Sequence, residues 1–125
     1  MEITLRDLVA IFLGGGLGSV ARFLTGRAMM RLIPSSFPWG TLVANVLSCI
    51  ALGVFVWLIA KEDMKGWWIS FAVIGFCGGF STFSTFSYET VKLLHDGHLM
   101  MAGANVLVSL VVCMVILYYL SKFIS

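Results

Sequence analysis

Residues 75–89 read GFCGGFSTFSTFSYE, a stretch that joins a glycine pair to a repeat of hydroxyl and phenyl side chains. It overlaps a run from Gly66 to Tyr88 that contains no charged residue. That run exceeds the roughly 18 to 20 residues needed to cross the hydrocarbon layer of a membrane. Gly78 and Gly79 favour a break in the helix, and a broken backbone is tolerated at that depth only where protein buries it or where it lines a hydrated cavity. The stretch therefore predicts a membrane-spanning helix that is broken near Gly78-Gly79.

Three other segments are long and apolar enough to cross a membrane. Gly40–Ala60 and Leu99–Ser121 contain no charged residue, and the first apolar run, which starts at Leu8, is interrupted only by Arg22. The chain is 60% hydrophobic and 11% charged, whereas roughly a quarter of the residues are charged in an average soluble domain. The sequence therefore predicts an all-α membrane protein with one four-helix transmembrane domain over residues 1–125 and spans at about 8–31, 39–60, 67–94 and 99–120.

Several classes of function lack the residues that they need. The net charge of +2 is small and the basic residues stand at span ends, so there is no basic patch for nucleic acid. The three cysteines fall in three different spans, a scatter more typical of packing than of a disulfide or a metal site. His95 and His98 flank a polar turn with no further ligand nearby, and no nucleophile is arranged with a base. We therefore expect neither a metal site at this turn nor an enzyme.

The basic residues show almost no bias between the two sides of the membrane. An excess of Lys and Arg on one side normally sets the orientation of the helices, and a chain without that bias can insert both ways. Four helices of this length cannot pack together and also surround a pathway, so a pathway needs at least two chains. Closed two-fold assembly is the commonest arrangement of identical chains. We therefore predict an antiparallel homodimer. The balance is four against three or four: Arg6, Lys61, Lys65 and Lys122 lie on the side of the termini, and Arg27, Arg31 and Lys92 lie on the other, with Arg22 inside a span but nearer to that second side.

The repeat that follows the glycine pair suits a small anion. Five hydroxyl side chains occur within residues 81–87, with phenyl rings at every third position from Phe80. Hydroxyl donors and the electropositive edges of phenyl rings solvate an anion without a fixed full charge that would trap it. The alternative, that these hydroxyls only bond to helix carbonyls, explains one or two of them better than five. The repeat therefore predicts an anion pathway along the third span.

Two polar residues in other spans fit the same interpretation. Asn45 lies at the centre of the apolar second span, where an amide either contacts a permeating ion or joins two helices by a hydrogen bond. Arg22 is permanently cationic, so it favours contact with a permeating anion or with a carboxylate partner such as Glu89. The competing interpretation of Arg22 is that its side chain extends to the membrane interface.

In these residues the chain resembles the Fluc/CrcB family of small dual-topology fluoride-specific ion channels. The most specific match is the string from Gly78 to Glu89, and Gly14–Gly18 with Arg22 in the first span and Trp39–Asn45 in the second support it. The resemblance implies a passive fluoride-selective channel in the bacterial inner membrane. Such a channel lowers fluoride toxicity by exporting fluoride from the cytoplasm down its electrochemical gradient.

The resemblance also implies roles for individual residues within an antiparallel homodimer that contains two pores. The backbone carbonyls of Gly78 and Ser81 match those that hold a structural sodium ion at the dimer centre, which is bound but not transported. Asn105 has no role that the resemblance supplies. The residues implied to line a fluoride pore are Asn45, Phe83, Phe86, Ser84, Thr85 and Ser109, and Arg22 is added because of its charge.

The main alternative is a small multidrug-type exporter that exchanges organic cations for protons, also built from four short helices. That mechanism needs a carboxylate buried within a span. Here the charge deep in the first span is Arg22, and every acidic residue lies near a span end. The sequence therefore favours the channel.

Overall fold

The computed structural model describes residues 2–64 and 66–123. Within these residues, four helical spans are long and apolar enough to cross a membrane, as predicted. We label the helices α1 (Leu5–Leu32), α2 (Trp39–Glu62), α3 (residues 67–80), α4 (Ser84–His95) and α5 (Leu99–Lys122). Helices α3 and α4 together form the third span. Lys65, which entered the charge count, lies outside the described residues.

Helix α1 begins with a reciprocal cap and packs between α2 and α3. The Thr4 hydroxyl accepts the Asp7 N–H at 3.2 Å, and the Asp7 carboxylate accepts the Thr4 N–H at 3.2 Å. The same carboxylate accepts the Ser70 hydroxyl at 3.0 Å, which ties the start of α1 to α3. This contact sets the axial position of the first span against the third.

Glycines bring the backbones of α1 and α3 into direct contact. Gly14 and Gly18 are buried, and a Cβ atom at either position would overlap the carbonyl oxygen of Phe71 or Phe76. A Cβ atom at Gly79 would likewise overlap the Gly15 carbonyl. Gly14 and Gly18 therefore form a face without Cβ atoms, on which α3 packs closely. The middle of α3, Ser70–Cys77, is wound as a π-helix, a form that often occurs near functional sites.

The third span is interrupted, as predicted, but Gly78 and Gly79 remain helical. The interruption lies at residues 81–83, directly after the short turn Gly78–Phe80. Ser81 is extended there, with φ −79° and ψ 157°. The glycine pair therefore serves the contact with α1, and the break falls in the hydroxyl and phenyl repeat.

Most large apolar side chains point outward, as expected of helices surrounded by lipid or by another protein. Phe12 is 80% exposed and Met100 is 90% exposed. By contrast, the largest fully buried side chain among the described residues is the amide of Asn105. Between the spans, polar side chains such as Asn105 and Ser109 are thus buried among apolar residues, many of them small.

Candidate functional site

The interruption is held open by an amide from the neighbouring span. Asn45 Oδ1 accepts the Thr82 N–H at 2.8 Å, and Asn45 Nδ2 donates to the Thr82 carbonyl at 3.3 Å. In a continuous helix the Thr82 N–H would donate to the Gly78 carbonyl instead. The side chain of Asn45 thus replaces two helical hydrogen bonds at once, and this explains why a costly amide sits in the middle of α2.

At the start of α4, a side chain again replaces a backbone acceptor in a helical hydrogen bond. The Thr85 N–H donates to the Thr82 hydroxyl at 3.2 Å, as at a capped helix N-terminus, and not to the Ser81 carbonyl. The carbonyls of Gly78 and Ser81 therefore both lose their helical donors. Carbonyl oxygens freed by unwinding are ligands for sodium in membrane proteins. The two carbonyls that the resemblance implies for sodium consequently fit that ion in their chemistry.

Arg22 contacts the same interruption from α1. Its Nε donates to the Gly79 carbonyl at 3.1 Å, which directs the side chain toward the third span. Among the described residues no ion pair joins Arg22 to Glu89: Glu89 lines the neighbouring cavity, and its Oε2 is buried without a hydrogen-bond partner. The guanidinium instead lies beside a groove of about 370 Å³ that Thr82 and Thr85 also line.

A separate groove of about 310 Å³ lies between α2, α5 and the interruption. The Phe83 and Phe86 rings lie there with centroids 5.9 Å apart and planes at 37°, and Phe83 is 78% exposed. The groove contains four of the predicted pore residues: Asn45, Phe83, Phe86 and Ser109.

The other predicted pore residues lie elsewhere. Arg22 and Thr85 line the groove on the α1 side, and the exposed Ser84 hydroxyl is 3.5 Å from the Thr82 hydroxyl. Thr82 lines both grooves. The predicted residues are therefore divided between two grooves that meet at Thr82, a residue that the sequence did not single out as a pore residue.

The α1-side groove continues into a wider cavity at one end of the molecule. This cavity of about 580 Å³ shares Gly26, Gly40 and Thr41 with the groove and is also lined by Glu89 and Lys92. The groove beside Arg22 and the interruption therefore adjoins a cavity that contains charged side chains.

Asn105, which had no assigned role, connects α5 to α4. Its Nδ2 donates to the Thr90 hydroxyl at 2.9 Å, and its Oδ1 accepts the Ser109 hydroxyl at 3.4 Å. The Thr90 hydroxyl in turn donates to the Phe86 carbonyl at 2.8 Å. The network thus joins the helix that carries Phe86 to the groove wall at Ser109.

Comparison with known proteins gives the same family as the residues do. The family model described as CrcB-like protein, Camphor Resistance (CrcB), matches residues 9–120. The chain belongs to the CrcB family. A CrcB relative named fluoride-specific ion channel FluC in Geobacter sulfurreducens is 41% identical over 112 residues, which cover 89% of this chain and 90% of the relative.

Two further relatives carry the same name. That of Phocaeicola vulgatus is 45% identical over 93 residues, 74% of this chain and 77% of its own length. That of Rhodospirillum rubrum is 40% identical over 105 residues, 82% of this chain and 81% of its own length. Together with the four apolar spans, the CrcB family identifies the chain as a multi-pass bacterial membrane protein.

Proposed function

We propose that this CrcB protein is a passive channel for fluoride. The observation that carries the proposal is the interrupted third span: Asn45 holds the break open, and the Phe83 and Phe86 rings lie beside it in one groove. Amide and hydroxyl donors together with phenyl edges suit a small, strongly hydrated anion. The relatives named fluoride-specific ion channel FluC support the choice of fluoride among small anions.

A passive channel is sufficient for export. Neutral hydrogen fluoride crosses a membrane, ionises in a near-neutral cytoplasm and is trapped there as the anion. A negative interior favours exit of the anion by about 2.3 kcal/mol per charge for each 100 mV. An open, selective pore thus lowers cytoplasmic fluoride, and this is the basis of the fluoride resistance that we propose for the protein.

The functional unit that we propose is an antiparallel homodimer with two pores. The near-equal numbers of basic residues on the two sides support dual insertion. The open groove supports a second copy, because its Phe83 ring is 78% exposed beside the polar Asn45 and Ser109. A partner helix would complete the wall that one chain leaves open.

Dual insertion is tested by labelling Glu2→Cys, at an exposed position, in a chain whose own cysteines are replaced by serine. An impermeant maleimide applied to intact cells should label about half of the protein, since half of the chains would present this terminus outside. Lysed cells provide the control for complete labelling. Labelling of all chains or of none in intact cells would exclude dual topology.

We also propose that the Gly78 and Ser81 carbonyls hold a structural sodium ion in the dimer. The support is that both carbonyls lose their helical donors to Asn45 and Thr82. The ion would supply positive charge where the helices break. Replacement of sodium by N-methylglucamine on both sides should lower the thermal stability of the dimer as well as its flux, and unchanged stability would reject the site.

The test of the function itself is efflux from liposomes that contain the purified protein, started by a potassium ionophore. Fast release of fluoride without release of chloride is the expected result. Absence of fluoride release from folded dimers would reject the channel. Proton-coupled uptake of an organic cation in the same liposomes would then favour the multidrug-type exporter.

A further inference from the structure

Two cysteines from different spans meet in the groove that holds the phenyl pair. Cys49 of α2 and Cys113 of α5 both line this groove, and both side chains are partly accessible. The two residues therefore face one groove from two helices that pack against each other. The third cysteine, Cys77, is buried in α3 and does not line the groove.

The thiols lie one helical turn beyond the polar residues of the proposed pore. Cys49 follows Asn45 by four residues on α2, and Cys113 follows Ser109 by four residues on α5. Residues four apart lie on the same face of a helix. The wall of the groove therefore changes from an amide and a hydroxyl to a pair of thiols, and the Met114 thioether lies next to that pair.

Sulfur ligands select soft metal ions over sodium, magnesium or calcium. A divalent soft cation that binds both thiols breaks two S–H bonds and forms two metal–sulfur bonds, and the two protons leave to water. The resulting bis-thiolate complex is neutral. A neutral complex suits this low-dielectric position, where an isolated charge is costly.

We propose that Cys49 and Cys113 form a binding site for one soft, thiophilic metal cation, and that its occupancy blocks the groove. The blocking half of this inference rests on the proposed channel function, whereas the binding half does not. The bound ion would lie within the groove of about 310 Å³, which Asn45 and Phe86 also line. It would obstruct passage of an anion along the phenyl pair.

The first test measures metal binding without any transport. Purified protein in detergent is incubated with mercuric chloride, passed through a desalting column and analysed for mercury per chain. The wild type and Cys77→Ala should each retain one tightly held ion in the pair, whereas Cys49→Ser/Cys113→Ser should retain none there. Retention of that ion by the double variant, or its loss in Cys77→Ala, would overturn the site.

The second test measures fluoride efflux from liposomes at increasing mercuric chloride. Micromolar mercuric ion should stop efflux by the wild type and by Cys77→Ala, and dithiothreitol should restore it. Each single variant, Cys49→Ser or Cys113→Ser, should need at least about 100-fold more mercuric ion, because the second thiol acts at high effective concentration. Unchanged efflux from wild-type protein that holds the ion would overturn the block.

The two tests separate this inference from the proposed function. If the liposomes release no fluoride even without metal, the channel function fails, and the mercury content of the purified protein still decides the thiol site. If fluoride efflux is normal and the double variant binds mercury as the wild type does, the channel stands and the thiol site fails.

Discussion

The two sides of the third span are built in opposite ways. On the α1 side, the glycines of α1 and α3 let the two backbones touch, and almost no side chain separates them. On the α2 and α5 side, the chain places an amide, hydroxyls, thiols and phenyl rings around a groove. Along the glycine contact, the α1 side is a rigid support, and the groove with Arg22 and Thr85 on that side lies beside the interruption. The comparison shows that a small chain can dedicate one stretch of a span to close packing and the next stretch to chemistry.

The largest effect is expected from a side chain added to the glycine contact. Gly18→Ala places a methyl group against the Phe76 carbonyl and the Phe80 N–H, both of which belong to backbone that cannot rotate away. Overpacking of this kind costs about 1 to 3 kcal/mol or more. We expect loss of monodisperse protein in gel filtration and a lower unfolding temperature.

The matched control for that change is Gly16→Ala. Gly16 lies on the same helix, and a Cβ atom there meets no atom within 4 Å. Gly16→Ala should therefore retain wild-type stability. Equal stability of the two variants would show that the close contact between α1 and α3 does not hold the fold together.

The next largest effect is expected at the opposite side of the span. Asn45→Leu removes both hydrogen bonds to Thr82 and leaves its N–H and carbonyl without partners. The loss of about 1 to 3 kcal/mol at the break should lower fluoride efflux at least about tenfold, as liposome flux would measure. Leu47→Ala, on an exposed position of α2, is the control and should conduct normally.

A smaller and more selective effect is expected at the rings. Phe86→Ile keeps an apolar side chain but removes the electropositive ring edge, so it should impair fluoride efflux while leaving the protein folded. Phe83→Ile should act in the same direction. Phe12→Ile, at an exposed ring on α1, is the control. Wild-type efflux from both groove variants would refute the role of the phenyl edges.

The smallest effect is expected in the network that joins α4 to α5. A double-mutant cycle of Asn105→Ala and Thr90→Val should give a coupling of about 1 kcal/mol in thermal or denaturant unfolding, because the amide donates to the Thr90 hydroxyl at 2.9 Å. The pair Asn105→Ala with Thr25→Val provides the uncoupled control, since the Thr25 hydroxyl donates within α1. A coupling near zero would show that Asn105 is buried without contributing to the attachment of α4.

Much of this architecture could be predicted from local features of the chain. Uncharged runs long enough to cross a membrane defined the spans, because the hydrocarbon layer tolerates few charges. The glycine pair predicted a break in the third span, and the hydroxyl and phenyl repeat predicted an anion pathway along it. Gly14 and Gly18 are four residues apart in the sequence, and two residues without Cβ on one face of a helix favour close packing of two backbones.

Other features depended on which residues meet in three dimensions. The glycine pair Gly78-Gly79 favours a break in the helix, yet the break falls at residues 81–83. It falls there because the Asn45 side chain makes hydrogen bonds to the N–H and the carbonyl of Thr82. Arg22 was free in principle to pair with Glu89, but its Nε reaches the Gly79 carbonyl. Such choices are made by atoms from different spans, and no spacing along one span reveals them.

The sequence by itself determined the membrane class, the four spans, the family and the candidate residues Asn45, Phe83 and Phe86 of the groove, because these follow from composition and from local motifs. Only the tertiary structure decided that Asn105 bridges α4 and α5, that Thr82 lines two grooves, and that Cys49 and Cys113 line the same groove. Those features join residues of separate helices, and their proximity depends on the packing of α5 against α2 and α4, which no local pattern in the sequence reveals.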